Sequence, residues 1–290
     1  LRGLLKKVLY RWHTLKAARQ KKQKVPEESL PMVVCCVFKN EAPYLREWLN
    51  FHLKQGFQRF YLIDNGSNDH FKEVLQPFIE NGSVRLLSSR HSGMDTFIQA
   101  REFNAVLPLI REEMGAHCWA AFIDVDEYLF SIKEQSISQI ISSFKGKEVA
   151  AVLANWLMFG TAGKATLDSD TPMLEQLTRR APDEHDEHRL FKPIAYLPNV
   201  YRFFEGPHRP IAMGGSHFYY SDGSKFQAGV VKFIHSPLRI NHYWYRSEMY
   251  YRNHKLAKRK SFGDIRNKKL EEWHMARCNE VEDKTILTIK

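Results

Sequence analysis

Three carboxylates, Asp124, Asp126 and Glu127, follow directly on the apolar run WAAFI at residues 119–123. The run reads as a buried strand. Acids at the carboxyl end of a buried strand are costly unless positive charge sits among them. A divalent cation is the usual solution, and oxygen ligands suit Mg²⁺ or Mn²⁺, which keep positions open for substrate phosphates. In open α/β sheets, ligands bind outside the carboxyl ends of the strands. The stretch from Trp119 to Phe130 is therefore the expected reaction centre, with Asp124 and Asp126 as metal-binding and catalytic residues. A surface turn after a strand would give the same short Asp-x-Asp pattern. The strand before it, the aromatic residues after it and a matching site upstream weigh for chemistry.

That upstream site lies at the ends of earlier strands. Met32 to Phe38 (MVVCCVF) is an unbroken apolar run, as expected of a strand covered on both faces, and Lys39, Asn40 and Glu41 follow it. Phe60 to Ile63 is a second strand, ending in Asp64, Asn65 and Gly66. Asp64 can accept hydrogen bonds from a ribose or a base, or close an Asx-type turn. Arg101, early in a later helix, can reach a phosphate near the strand ends or form a surface salt bridge.

The elements that position these residues alternate. Pro43 opens a helix closed by Gly56, in which His52 reads as a core histidine. Phe71 to Glu80 is a second helix, and Val84 to Leu87 a third strand. A third helix, capped by Asp95, reaches about Met114, with Pro108 kinking or ending it. Strand, helix, strand, helix, strand, helix, strand implies a parallel sheet with right-handed crossovers. Beyond Asp126 the pattern changes. Val149 to Leu153, Phe191 to Leu197 and Val230 to Ile234 read as further strands. The DEHDEH run at 183–188 is expected to be a solvated loop rather than a metal site. Residues 254–269 are basic and compatible with a helix.

The 290-residue chain carries a net charge of +10, nine of its Lys and Arg residues lying in residues 1–24, which hold no acid. The rest is near neutral. Leu1, Leu4, Leu5, Val8, Leu9, Trp12 and Leu15 recur at helical spacing among these charges. Such a helix suits an anionic membrane surface; packing on the body or on a partner is the plainer alternative. No apolar run is long enough to span a bilayer, and no secretory signal is expected. The four cysteines include no Cys-x-x-Cys pair, so buried free thiols in a reducing, cytoplasmic compartment are expected.

The segments FKNEAPYLREWLNFHLKQGFQRFYLIDNGSND, FIDVDEYLF, NWLMFGTAG, RLFKPI and INHYWYRS occur in this order. Together they resemble glycosyltransferase family 92 and its bacterial glycosyltransferase-2-like relatives, over roughly residues 32–262. The resemblance implies an α/β fold of GT-A type, a Rossmann-like mostly parallel sheet with helices on both faces and a smaller acceptor-side extension. It also implies inverting transfer of a sugar from a nucleotide donor, UDP-linked, to a glycan or lipid-linked acceptor, as in surface polysaccharide or lipopolysaccharide synthesis. Lys39, Asn40, Glu41, Asp64, Arg101 and Asp124 would then bind the nucleotide sugar. Asp124 and Asp126 would hold Mn²⁺ or Mg²⁺, with His242 of the Asn-His-Tyr segment as a late ligand. Trp156 and Gly160 would line the acceptor side. Inversion needs a base opposite the leaving group. Glu175 is the preferred candidate, with Glu184 and its neighbouring acids as alternatives; an ion pair with Arg179 or Arg180 is the plain reading of Glu175.

The expected organisation is a basic helix and linker (1–30), a transferase domain (31–262, with halves 31–130 and 131–262) and a basic extension (263–290). Two other readings compete. A phosphotransfer hydrolase also places Asp-x-Asp after a strand, but expects Ser or Thr soon after the second Asp, where Glu127 and Tyr128 stand. A module that binds nucleic acid or anionic membranes would explain the basic ends but not the carboxylates; no nucleic acid partner is expected.

Overall fold

The computed structural model describes residues 2–91, 97–204, 206–230, 232–256 and 268–289. Asp95 and most of the basic stretch 254–269 lie outside them. A helix, α1 (Arg2–Ala18), precedes the sheet. Strands and helices then alternate as expected: β1 (Met32–Phe38), α2 (Ala42–Lys54), β2 (Arg59–Asp64), α3 (Phe71–Glu80), β3 (Val84–Ser88), α4 (Ile98–Met114) and β4 (Trp119–Phe122). Pro108 sits inside α4, which continues past it. The four strands pair in parallel in the order β3-β2-β1-β4.

Side chains alternate across a strand, and the core divides accordingly. Val34, Cys36, Phe60 and Leu62 pack with Leu45, Trp48, Leu75 and Phe78 of α2 and α3. Val33, Cys35, Tyr61 and Ile63 pack with Phe103, Val106, Leu107 and Ile110 of α4 on the other face. All four cysteines are buried and unpaired.

The second half closes the sheet with mixed pairing. It contains β5 (Glu127–Ser131), α5 (Ile137–Ser142), β6 (Val149–Met158), α6 (Met173–Gln176), β7 (Arg179–Arg180), β8 (Phe191–Tyr196), β9 (Val200–Arg202), β10 (Ile211–Ala212), β11 (His217–Tyr220) and β12 (Leu238–His242). The main sheet runs β3-β2-β1-β4-β8-β6-β12-β5, with β11 paired to β6. β4 and β5 are thus four strand positions apart, roughly 19 Å in a flat sheet. Yet only residues 123–126 join them, and these form a tight turn, Glu127 N–H donating to Asp124 O at 3.0 Å. The sheet must therefore curl around that turn, which places the acidic residues inside the curve.

Two expectations change. The described residues of the 230–234 segment form no strand: Val230 makes one isolated bridge, to Gln227, and Asn155 bonds Lys232 O (3.0 Å) and Ile234 N–H (3.2 Å) instead. The DEHDEH run is not a wholly solvated loop. His185 and His188 are buried, and His188 Nε2 accepts Met158 N–H at 2.9 Å. The acids of the run stay outside because only the neutral imidazoles can shed water cheaply.

The C-terminal residues pack on the body. A helix (Lys268–Arg277) leads to β13 (Val281–Glu282), antiparallel to β7. Asp283 binds Arg180 and Arg239, each at 3.0 Å, and Ile286 joins the main core.

Candidate active site

β8 is the strand that answers the acidic turn. It runs antiparallel to β4, with Ala121 opposite Ile194. Two residues before Ile194 on β8, Lys192 falls beside the turn that follows β4. Its Nζ lies 2.7 Å from Asp124 Oδ2 and 3.3 Å from Glu127 Oε2. Glu127 Oε2 also accepts the Asp124 N–H at 2.9 Å. Gln99, in the first turn of α4, donates to Asp124 Oδ1 at 2.5 Å. Asp124 is thus held by an ammonium and an amide.

Burial pushes the Glu127 carboxyl up to about 7, against the pull of Lys192. Burial works to lower the Lys192 pKa, but Asp124 and Glu127 outweigh it and keep the ammonium charged.

Asp126 has a different set of neighbours. β12 pairs antiparallel with β5, so His242 stands opposite Glu127, and Tyr243 N–H donates to Asp126 O at 2.8 Å. His242 Nε2 comes to 3.7 Å from Asp126 Oδ1. Lys255 Nζ lies 2.5 Å from the other oxygen, Oδ2, beneath the Trp244 ring at 3.9 Å. Burial would raise the Asp126 carboxyl, but Lys255 and His242 hold it well below the usual range.

These distances test the expected metal. Divalent ions take oxygen and nitrogen ligands at roughly 2.0–2.2 Å. Two donors 3.7 Å apart, Asp126 Oδ1 and His242 Nε2, can therefore share one ion. His242 Nδ1 is buried with no hydrogen-bond partner. No group of three or more His, Cys, Asp or Glu residues is arranged to hold a metal among the described residues. A two-ligand protein site fits an ion that takes its remaining ligands from substrate phosphates and water. Asp124 stands with Lys192 rather than with this pair.

Trp156, on β6 opposite Ile240 of β12, joins the cluster. Its ring lies 4.3 Å from that of His242 and 5.3 Å from that of His208. At Gly160 a Cβ would collide with Cys278 O and the Asn279 side chain, so the glycine admits the C-terminal segment.

The upstream cluster is a latch between two strand ends. Asn40 has φ 56°, a left-handed conformation that Asn tolerates better than most residues. Its N–H donates to Ser67 Oγ and its Oδ1 accepts the Asn68 N–H, both at 2.9 Å. Asp64 Oδ1 accepts the Ser67 N–H at 2.8 Å, so Asp64 closes its own turn. Lys39 is exposed, and Arg101 is partly buried on α4 two residues after Gln99. Glu41 pairs with the fully buried Arg246 at 2.6 Å. The Arg246 guanidinium is stacked on Tyr44 (3.7 Å) and Tyr250 (4.5 Å).

A cleft of ≈ 820 Å³ runs along α2, lined in part by Tyr44, Glu47, Asn50, Phe51, Thr171 and Ser247. Glu47 accepts the Met173 and Leu174 N–H groups at the start of α6 (2.9 and 3.1 Å). Glu175 is exposed on α6 and shares no contact with Asp124 or Asp126. Its suggested partners are taken elsewhere, Arg180 by Asp183 and Asp283 and Arg179 by Asn279 O.

Lys192, Gln99, Arg246 and Lys255 carry no motif that marks them in the sequence as site residues, yet each contacts an acid of the site. Lys192 left a trace, a lone cation inside the apolar strand FKPIAY.

A sequence model described as Glycosyltransferase family 92 matches residues 31–286. A family 92 protein of Oryza sativa subsp. japonica is 25% identical over 217 residues, 74% of this chain and 33% of that protein. One of Arabidopsis thaliana is 24% identical over 238 residues, 78% of this chain and 37% of that protein. This chain therefore spans little more than a third of these relatives. Among solved structures, S. aureus TarS 1–349 aligns over 86% of this chain and 70% of its own, with 13% identity and a TM-score of 0.42. The mannosyltransferase PcManGT from Pyrobaculum calidifontis, in complex with GDP-Man and Mn²⁺, aligns over 78% and 65%, with 16% identity and a TM-score of 0.40. By the match across residues 31–286, this chain belongs to glycosyltransferase family 92.

Proposed function

We propose that the chain is a metal-assisted, inverting glycosyltransferase domain of GT-A type. It would move a sugar from a nucleotide donor, UDP-linked, to a hydroxyl of a glycan or lipid-linked acceptor. The observation that carries this reading is the Asp126–His242 pair, 3.7 Å apart at the carboxyl edge of the sheet, in a chain of family 92. The unpaired, buried cysteines suit the reducing cytoplasm as its place of action.

Asp126 and His242 would hold Mn²⁺ or Mg²⁺, which when bound supplies positive charge against the diphosphate leaving group. The remaining work falls to side chains. Lys192 and Gln99 fix Asp124 in the orientation that meets a ribose hydroxyl or the ion's water. Trp156 offers a ring face beside His242 for the transferred sugar. Lys39 and Arg101 bring positive charge to the nucleotide side. The acceptor hydroxyl must lose its proton to a base on the face opposite the leaving group. Glu175, exposed beside the α2 cleft, is proposed for that role. Loss of transfer in Glu175→Gln with donor hydrolysis intact would assign it, and unchanged transfer would remove it.

A second reading has its own observation, the Lys255 ammonium on Asp126. Here lysine rather than a metal would neutralise the leaving group. Calorimetry with UDP separates the two. The metal reading expects affinity to rise with Mn²⁺ and the rise to vanish in Asp126→Asn. Affinity that is indifferent to Mn²⁺ but lost in Lys255→Met would favour the second.

A further inference from the structure

We infer that α1 docks the protein on an anionic lipid bilayer, through an apolar stripe flanked by basic side chains. Leu5, Val8, Trp12 and Leu15 recur at three- and four-residue spacing and are 64%, 58%, 52% and 56% exposed. Leu9 lies in the same stripe and is also exposed. The helix cannot roll to hide them, because its adjacent face is fixed to the body. Ala17 is fully buried, and Tyr10 meets Phe204 edge-on at 5.4 Å. His13 Nε2 lies 3.1 Å from an Arg202 amino group, and Lys6 Nζ sits 4.1 Å over the Phe97 ring. A contiguous apolar stripe held outward in this way marks an interaction surface.

Charge selects the occupant. Residues 1–24 carry nine Lys or Arg and no Asp or Glu. A second copy would bring the same charge to the interface and be repelled. An anionic bilayer satisfies both features, the stripe entering the acyl boundary while Lys7, Arg11, Lys16 and Arg19 meet the headgroups. No described helix is long and apolar enough to cross a membrane, so the contact lies in the surface plane. The same geometry bears on the acceptor, in a step that rests on the glycosyltransferase reading. Lys6 touches Phe97, the residue that caps α4, and Gln99 two residues later holds Asp124. The docked helix is therefore linked through the start of α4 to the residue that holds Asp124, and a lipid-linked acceptor would lie on the same membrane surface as the protein.

The test uses the 290-residue chain and vesicles of phosphatidylcholine, with or without about a quarter phosphatidylglycerol. Flotation is expected with the anionic vesicles only, and should weaken at least tenfold between about 50 and 500 mM salt. Leu5→Glu/Val8→Glu/Trp12→Glu and Lys7→Glu/Arg11→Glu should each lower partitioning about tenfold or more. Both should leave Mn²⁺-dependent sugar-nucleotide hydrolysis unchanged. Equal binding to neutral vesicles, unaltered binding of the variants, or a dimer that the triple variant dissolves would overturn the docking surface. Absence of hydrolysis in every form, with vesicle binding intact, would instead count against the glycosyl-transfer reading.

Discussion

Lys192 is the residue on which the acidic turn depends. A buried ammonium is tolerated only when carboxylates and hydrogen bonds replace its water, and Asp124 at 2.7 Å and Glu127 at 3.3 Å do so. Lys192→Met would leave Glu127, which is fully buried, without its cation. The expected cost is about 3–5 kcal/mol, the range for breaking a buried pair from one side. Adding Glu127→Gln should recover part of it, because the orphaned carboxylate is gone. Urea unfolding of the two single variants and the double variant measures this coupling. Additive losses would mean that Lys192 serves Asp124 alone. The need for positive charge was legible in three consecutive-region carboxylates after a buried strand. Its source was not, because Lys192 lies 68 residues beyond Asp124 and only the β4–β8 register brings them together.

At the scale of elements, the C-terminal segment should behave as part of the body. Asp283 is the tie, binding Arg239 and Arg180 and accepting the Thr285 N–H, all at 3.0 Å. Burial would raise its carboxyl, but Arg239 and the hydrogen bonds drive it far down. Asp283→Asn keeps the shape and removes the charge, leaving Arg239 buried and half-partnered. A loss of about 3–5 kcal/mol is expected, with amide exchange accelerating through β12 and β13 together. Exchange confined to residues after 280 would show a detachable tail instead. The first half of the fold was legible because β1, β2 and β3 pair in chain order and every crossover, including the one that returns β4 to the side of β1, is helix-length. Apolar runs such as MVVCCVF then suffice to name the strands. The second half was not, because β5 leaves β4 and returns at the far edge beside β12. Nothing local in EYLFS records that destination. Val230 to Ile234 failed for a related reason, its backbone being held by the Asn155 side chain rather than by a neighbouring strand.

For the whole molecule, the buried histidines set how folding responds to acid. His52 Nε2 accepts the Leu129 N–H at 3.1 Å, and its Nδ1 lies 2.9 Å from Trp48 O. Both nitrogens are used by the neutral ring. His188 Nε2 likewise accepts the Met158 N–H. Burial lowers each to about 3. The unfolded chain protonates both near pH 6.5 while the native state does not, so between about 6.5 and 3 the unfolded state binds more protons. Stability then falls as pH falls, by up to about 1.4 kcal/mol per unit for each ring. Glu127 acts in the opposite direction. Its carboxyl is raised to about 7, so between its unfolded value of 4.5 and 7 the native state holds the extra proton. Near pH 5.5 it offsets roughly one histidine. His208 is also lowered by burial, to about 4, so the histidines outweigh Glu127 and the wild-type unfolding free energy from urea titrations should fall between pH 6 and 5. His52→Gln removes one proton site from the unfolded state and should lower that slope by about 1.4 kcal/mol per unit, whatever it costs in absolute stability. A slope that His52→Gln leaves unchanged would place the acid sensitivity in other groups and would mean that the ring between Trp48 and Leu129 titrates as freely in the native protein as in the unfolded one.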